Sequence, residues 1–386
     1  MGCAFRKKIF FLAHLITLLA TAHSFTQEEI FQQIEKGLEK PQQAEKRTPY
    51  ITDLFSSVSQ TKNYTAYKEL YLSGRYSCDL NKIEGRNSLG FLLYGTFPGS
   101  EGQLGDLNVQ GRATYYNNQF DHGELMPRDY TRHLNQLKWE LHNAYLRLRA
   151  LPPMCNVRVG HFYVPYGLQP WIDTHGTLLQ GPAVEFIGME RDWGLSMDGQ
   201  GEAFEYQAGL TRGSGMEYFG REDNFALAGK LSTLRGGEHL NDWLGVSYLI
   251  GRIYDPMAVE RLRHMGVEHN IVPRWRVGID GQKIIGPARV RFEMTAGTDA
   301  KKARLLGEFF ELQYVLDMKS KLYSYFQLEN LTQNGKRSDT TLRFGLTYVL
   351  SGNYNLQFVV SKDVNTTWGK RDTWIGLLLY GQLGFN

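Results

Sequence analysis

Between Thr341 and Lys362 the chain reads TLRFGLTYVLSGNYNLQFVVSK. Leu342, Phe344, Leu346, Tyr348 and Leu350 alternate with Thr341, Arg343, Gly345 and Thr347. Past Gly352, Tyr354, Leu356, Phe358 and Val360 alternate with Asn355, Gln357, Val359 and Ser361. An apolar residue at every second position makes a strand with one dry and one wet face. The same period recurs on the N-terminal side, in Leu70-Leu72-Gly74-Tyr76, in Leu107-Val109-Gly111-Ala113-Tyr115 and in Ala288-Val290-Phe292-Met294.

Strands are expected near 68–79, 88–97, 106–116, 134–149, 155–163, 190–199, 203–211, 223–233, 242–252, 272–281, 286–297, 306–317, 321–330, 339–350, 353–362 and 372–385. That is sixteen, with fourteen or eighteen as alternatives. A β-sandwich would also alternate, so the connections decide. Taken in turn they fall into two classes. One class is mostly short: 98–105, 150–154, 200–202, 234–241, 282–285, 318–320 and the neighbours of Gly352. The other is mostly long: 117–133, 164–189, 212–222, 253–271 and 363–371. A soluble sandwich has no reason to sort its loops by parity. A transmembrane antiparallel β-barrel does, with short periplasmic turns and long outer loops. Sixteen strands is also a size that leaves an aqueous channel.

The ends and the composition agree. Arg6, Lys7 and Lys8 precede an apolar run from Ile9 to Ala22, and Ala22-His23-Ser24 is a small-x-small site. Residues 1–24 therefore read as a secretory signal peptide. The run is too short for a helical span, which takes roughly 20 residues. Residues 25–62 read as a periplasmic segment, partly helical. Thr26 with Glu29 matches a capping box, and Ile30, Phe31, Ile34 and Leu38 share a helical face. Residues 63–386 form the barrel. Of 386 residues, 22 are Tyr, 21 Phe and 41 Gly, and charged residues make up 22%. Many aromatics, many glycines and no second long apolar run suit an outer-membrane barrel. A net charge of +3 is too small to argue for nucleic acid. Cys78 and Cys155 fall at opposite ends of the strand map, beyond disulfide reach, and are expected to be free.

If the apolar face meets lipid, the alternate positions meet the lumen, because charge on the lipid face is costly. Arg75, Arg112, Arg158, Lys230, Arg274, Arg276, Arg289, Arg291, Arg343, Glu293, Glu311, Asp317 and Glu329 are thus the candidate pore-lining residues. Arg274, Arg276, Arg289 and Arg291 share one hairpin, and Glu311, Asp317 and Glu329 follow. A basic wall beside an acidic one would set a transverse field; local pairing of these charges is the alternative. The long third outer loop, Val164 to Met189, is expected to fold inward and narrow the lumen. Its candidate residues are Asp173, His175 and Glu185, with Glu190 and Arg191 at its end.

HNAYLRLRALPPMCNVRVGHFYVPYGLQP (142–170), GMERDWGLSMDGQ (188–200) and AGLTRGSG (208–215) resemble phrases of the phosphate-selective porin O/P family. The matching residues are Ala144-Tyr145-Leu146, Arg158-Val159-Gly160, Pro165-Tyr166-Gly167-Leu168, Glu190, Arg191 and Gly194. The resemblance implies a sixteen-stranded, often trimeric channel in a Gram-negative outer membrane. It does not place that family's anion-path residues, and the chain ends Phe385-Asn386, one residue past the family's terminal aromatic.

The expected function is passive diffusion of small hydrophilic solutes or ions, with anions preferred. No cofactor, metal or nucleic acid is expected. The partners are lipid, the barrel-insertion machinery, solutes and further copies in a homotrimer. The rivals are a non-conducting binding or adhesion barrel and an outer-membrane hydrolase. A hydrolase would need a nucleophile with a base held close, yet the chain has no GxSxG and no HExxH. Glu260, His264, Glu268 and His269 fit no zinc spacing and read as solvated loop.

Overall fold

The computed structural model describes residues 64–385, apart from 80–81, 100–101, 118–135, 172–176, 180, 216–223, 234–241, 256–257, 259–261, 263–270, 301–302, 318–320, 336, 352–353 and 366–372. The signal segment and the helix expected over Thr26–Lys46 lie outside these residues. Sixteen strands follow in order: β1 Tyr64–Ser77, β2 Lys82–Gly99, β3 Gly102–Asn117, β4 Gln136–Leu151, β5 Cys155–Tyr163, β6 Arg191–Gln200, β7 Phe204–Thr211, β8 Phe225–Thr233, β9 Trp243–Tyr254, β10 Ile271–Ile285, β11 Ala288–Asp299, β12 Ala303–Asp317, β13 Leu322–Gln333, β14 Arg337–Ser351, β15 Tyr354–Asn365 and β16 Thr373–Phe385. Each pairs antiparallel with its chain neighbours. β1 closes on β16 from Ala66↔Phe385 to Ser77↔Trp374, so the sheet is a closed barrel with no free edge.

The expected strands are all present, and several run longer than expected. β2 and β3 pair to within two residues of each other, where a turn over 98–105 was expected. The register shifts at Phe97/Pro98. Such a bulge lets the ladder continue past a residue that has no N–H to donate. The four widest connections gather at one rim: 118–135, 164–190, 212–224 and 255–270. That rim is the outer one.

Alternation is strict where the sequence is most regular. Along β9, Trp243, Gly245, Ser247, Leu249, Gly251 and Ile253 are buried, while Leu244, Val246, Tyr248 and Ile250 are exposed. Across the barrel the buried set contains Glu69, Arg75, Arg112, Asp280, Glu293 and Arg276; the exposed set contains Leu89, Trp139, Val159, Leu195 and Val277. A soluble protein sorts its side chains the other way. Charge inside and Leu, Val and Trp outside require a lipid solvent, so this is a transmembrane barrel of the outer-membrane type. Cys78, exposed, follows β1 at the outer rim, and Cys155 opens β5 at the opposite rim; both are free.

Candidate functional site

The described residues between Val164 and Glu190 enter the lumen. Its base is tied where the Val164 N–H donates to the Glu190 carbonyl at 2.9 Å, extending the β5–β6 ladder by one rung. The next residues turn against β8–β11. Tyr166 N donates back to Val164 O at 2.8 Å, and the Tyr166 hydroxyl donates to Thr295 Oγ1 at 3.1 Å. Gly167 N donates to Ser247 Oγ at 3.0 Å and Leu168 N to Glu293 Oε2 at 2.8 Å. Gly167 O accepts from Lys230 Nζ at 2.5 Å. Lys230 also pairs with Asp280, and both side chains are fully buried. Position 167 needs glycine twice over. Its φ is 56°, and a Cβ would lie 2.2 Å from Glu293 Oε2.

Further along, the helix α1 (Ala183–Ile187) rests on β10–β12. Gly188, at φ 87°, closes it, its N–H reaching the carbonyls of Ala183 and Val184. The last carbonyls of α1 meet two arginines. Arg276 Nε donates to Phe186 O at 2.7 Å, and Arg274 Nη1 donates to Ile187 O at 2.5 Å. Cations at a helix C-terminus are favourable. These two are balanced by Asp299, 2.6 Å from Arg276 and 3.3 Å from Arg274, and by Asp255, 3.0 Å from Arg274. Phe186 lies over Gly307 of β12. An apolar cluster forms inside the lumen, joining Val164, Tyr166, Leu168, Phe186 and Ile187 to inward residues Ala228, Leu249 and Phe309.

Between these anchors, residues 177–179 reach the wall at β15 and β16. Leu178 N donates to Gln357 Oε1 of β15 at 2.8 Å, and Leu179 packs on Val359 and Trp374. The described residues of the third loop thus lie against inward faces of the barrel wall. Of its candidate residues, Glu185 sits half-buried in the first turn of α1. Glu190 pairs with Arg191 at 3.0 Å, and the Arg191 guanidinium lies 3.9 Å above the Tyr163 ring. Asp173 and His175 lie outside the described residues, as do Glu260, His264, Glu268 and His269.

The candidate pore-lining residues divide into two groups. Lys230, Arg274, Arg276 and Glu293 hold the loop. Most of the others bond to neighbours on the wall. Arg112 Nε meets Glu140 Oε2 at 2.6 Å, beside Arg86 at 2.9 Å, with the Tyr71 ring 5.3 and 5.6 Å from the two guanidinium carbons. Arg75 lies over Trp374 at 5.7 Å. Arg158 lies 4.8 Å from the Tyr145 ring and 3.4 Å from Asp198, which also binds Arg147. Arg291 pairs with Glu311 at 2.9 Å and Arg343 with Glu329 at 2.7 Å. Arg289 is half-buried beside Arg291. Asp317 lies exposed at the end of β12, where the register shifts between Val315 and Asp317. On the β10–β11 hairpin and the strands after it, Arg291 pairs with Glu311, Arg343 pairs with Glu329, and Arg274 and Arg276 meet the loop, the local pairing that stood as the alternative to a transverse field.

Sequence reading passed over Arg86, Asp106, Arg147, Arg149, Asp255, Asp299 and Gln357. Tyr145-Arg147-Arg149 is itself a period-two run, so the arginines were within reach of the rule. Asp255 and Asp299 lie at or just past strand ends, where alternation says nothing.

No protein-family model matches the chain, and no curated protein matches it in sequence. Solved structures do match in shape. The high-pH structure of Pseudomonas putida OprB aligns with a TM-score of 0.57 at 11% identity, covering 86% of this chain and 96% of that one. The trimer form of OmpT, an outer membrane protein of Vibrio cholerae, aligns at 0.53 and 12%, covering 83% and 99%. An anion-selective porin from Comamonas acidovorans aligns at 0.52 and 10%, covering 83% and 99%. At such identities the likeness is one of fold.

Proposed function

We propose that this chain is a passive channel for small hydrophilic solutes or ions, and not an enzyme. The observation that carries the reading is the inward segment together with the arginine-rich inward faces of β2–β5. The segment's described anchors lie on β8–β12 and on β15–β16. The inward faces of β2–β5 carry Arg86, Arg112, Arg147, Arg149 and Arg158 against Asp106 and Glu140. Solutes would pass between the segment and that wall, and the excess of arginine there favours anions. The resemblance to phosphate-selective porins and the anion-selective neighbour point the same way. A homotrimer is part of the proposal, as are export by the 1–24 signal, insertion by the barrel machinery and a periplasmic 25–62 segment.

The test is conductance of the refolded protein in a planar bilayer under a salt gradient. Discrete steps with an anion-signed reversal potential are expected. A correctly folded, heat-modifiable barrel that never conducts would sink this reading and favour a binding barrel or an outer-membrane hydrolase.

A further inference from the structure

The outward row of β12 reads Arg304, Leu306, Glu308, Phe310, Leu312 and Tyr314. The alternate residues Ala303, Leu305, Phe309 and Glu311 are buried on the lumen side, so Glu308 stands on the lipid face. A strand that rises about 3.3 Å per residue and tilts about 40° covers about 25 Å of membrane normal between Arg304 and Tyr314. That matches the apolar band of such a barrel and puts Glu308 about 10 Å inside its outer edge. Leu306 and Phe310, on either side, are exposed. Glu308 is half-buried and accepts from Asn330 Nδ2 on β13 at 2.9 Å. Asn330 Oδ1 accepts in turn from the Thr340 hydroxyl on β14 at 2.9 Å. Among the described residues no cation pairs with Glu308. Ionisable side chains at membrane depth are costly and are found paired.

The complementary charge lies three strands away. The outward row of β15 reads Leu356, Phe358, Val360 and Lys362, and Gln357, Val359 and Ser361 between them are buried. Lys362 is exposed, opposite Leu342 and Thr373 in register. It stands three residues short of the outer end of β15 at Asn365, and Glu308 five residues inside the outer end of β12 at Ala303. The two depths differ by about 5 Å, which a flexible lysine stem spans. Sixteen strands turn the wall by about 22° each, so β12 and β15 face about 67° apart. In a closed ring of three equal barrels, each touches its two neighbours in directions about 60° apart. Lipid tails cannot satisfy a carboxylate, whereas a second copy brings a cation at a matching depth.

We propose that Glu308 of one copy meets Lys362 of the next in a closed ring of three, with Asn330 and Thr340 completing the polar seam. The inference rests on the homotrimer in the reading above and assigns its contact face to β12–β15.

Cross-linking of the full chain in mild detergent, with Cys78 and Cys155 replaced by serine, tests this. With Glu308→Cys and Lys362→Cys together, a short bis-maleimide should give a ladder that ends at three copies, and either substitution alone should give none. A ladder that ends at two copies, or linkage through one position alone, overturns the ring. Glu308→Lys or Lys362→Glu alone sets like charges face to face, and should raise the concentration needed for assembly about tenfold or more. The two together reverse the pair and should restore the trimer. Heat-modifiable mobility on gels reports that each variant has folded. Equal assembly by all four proteins, or a double variant no better than the singles, overturns the pairing. A monomer that conducts would overturn this inference and leave the channel reading standing; a trimer linked as expected that never conducts would do the reverse.

Discussion

Two walls of the lumen use the same residue types for different ends. On β8–β12, Lys230, Arg274, Arg276 and Glu293 bond to the backbone of the inward segment, and apolar residues beside them pack under it. On β2–β5, Arg86, Arg112 and Glu140 bond to one another, and Arg147 and Arg158 gather on Asp198 of β6. The first wall behaves as the interior of a globular protein, with dry contacts and satisfied carbonyls. The second pairs its charges within the wall, with Arg147 and Arg158 keeping part of their side chains exposed. An inward charge in a barrel therefore does not by itself denote a pore-lining residue. What it bonds to decides.

The comparison breaks most sharply at Arg276. Its side chain is buried, holds the Phe186 carbonyl and pairs with Asp299. Arg276→Ala takes the nearer of the two arginines from Asp299, which keeps Arg274 at 3.3 Å, and strips the Phe186 carbonyl of its donor, a loss of about 1–3 kcal/mol for a buried group left unsatisfied. The cost falls on the loop, because the ladder of sixteen strands does not depend on this side chain. The variant should stay heat-modifiable while its single-channel current becomes noisier and larger. Unchanged current would mean that the segment is not held by this anchor. Gly167→Val probes the other anchor. A β-branched residue at φ 56° costs about 1–2 kcal/mol in backbone strain, and its Cβ would displace the Glu293 carboxylate. The same direction of change in current is expected, with a smaller amplitude.

How much of this was legible depends on distance along the chain. Alternation needs only neighbours at i and i+2, and it located the sixteen strands and the long-loop rim. The loop's seat joins residues far apart in sequence: Tyr166 with Thr295, and Leu168 with Glu293. No local pattern encodes such pairs. One local signal does exist. β9 reads WLGVSYLIGRIY, apolar at Leu249 and Ile253 on the face that should be wet. A barrel strand apolar on both faces needs an apolar partner inside, and Phe186 and Ile187 belong to the cluster that supplies it. Read this way, the departures from alternation on β8 and β9 marked the wall that the loop covers.

The smallest effect on stability should come from the open wall, and it sharpens the contrast. Arg158 shares Asp198 with Arg147 and stacks near Tyr145. Its side chain keeps 17% exposure, against 1% for Arg274. Arg158→Ala leaves Asp198 still paired, so the fold should lose under about 1 kcal/mol, as for solvated ion pairs. Step size should be nearly unchanged, because no anchor of the inward segment is touched. The reversal potential should move toward cations, because a positive charge has left the wall that faces the solute path. A shift in step size without a shift in reversal potential would place Arg158 with the anchors. The two walls would then differ less than their bonding suggests.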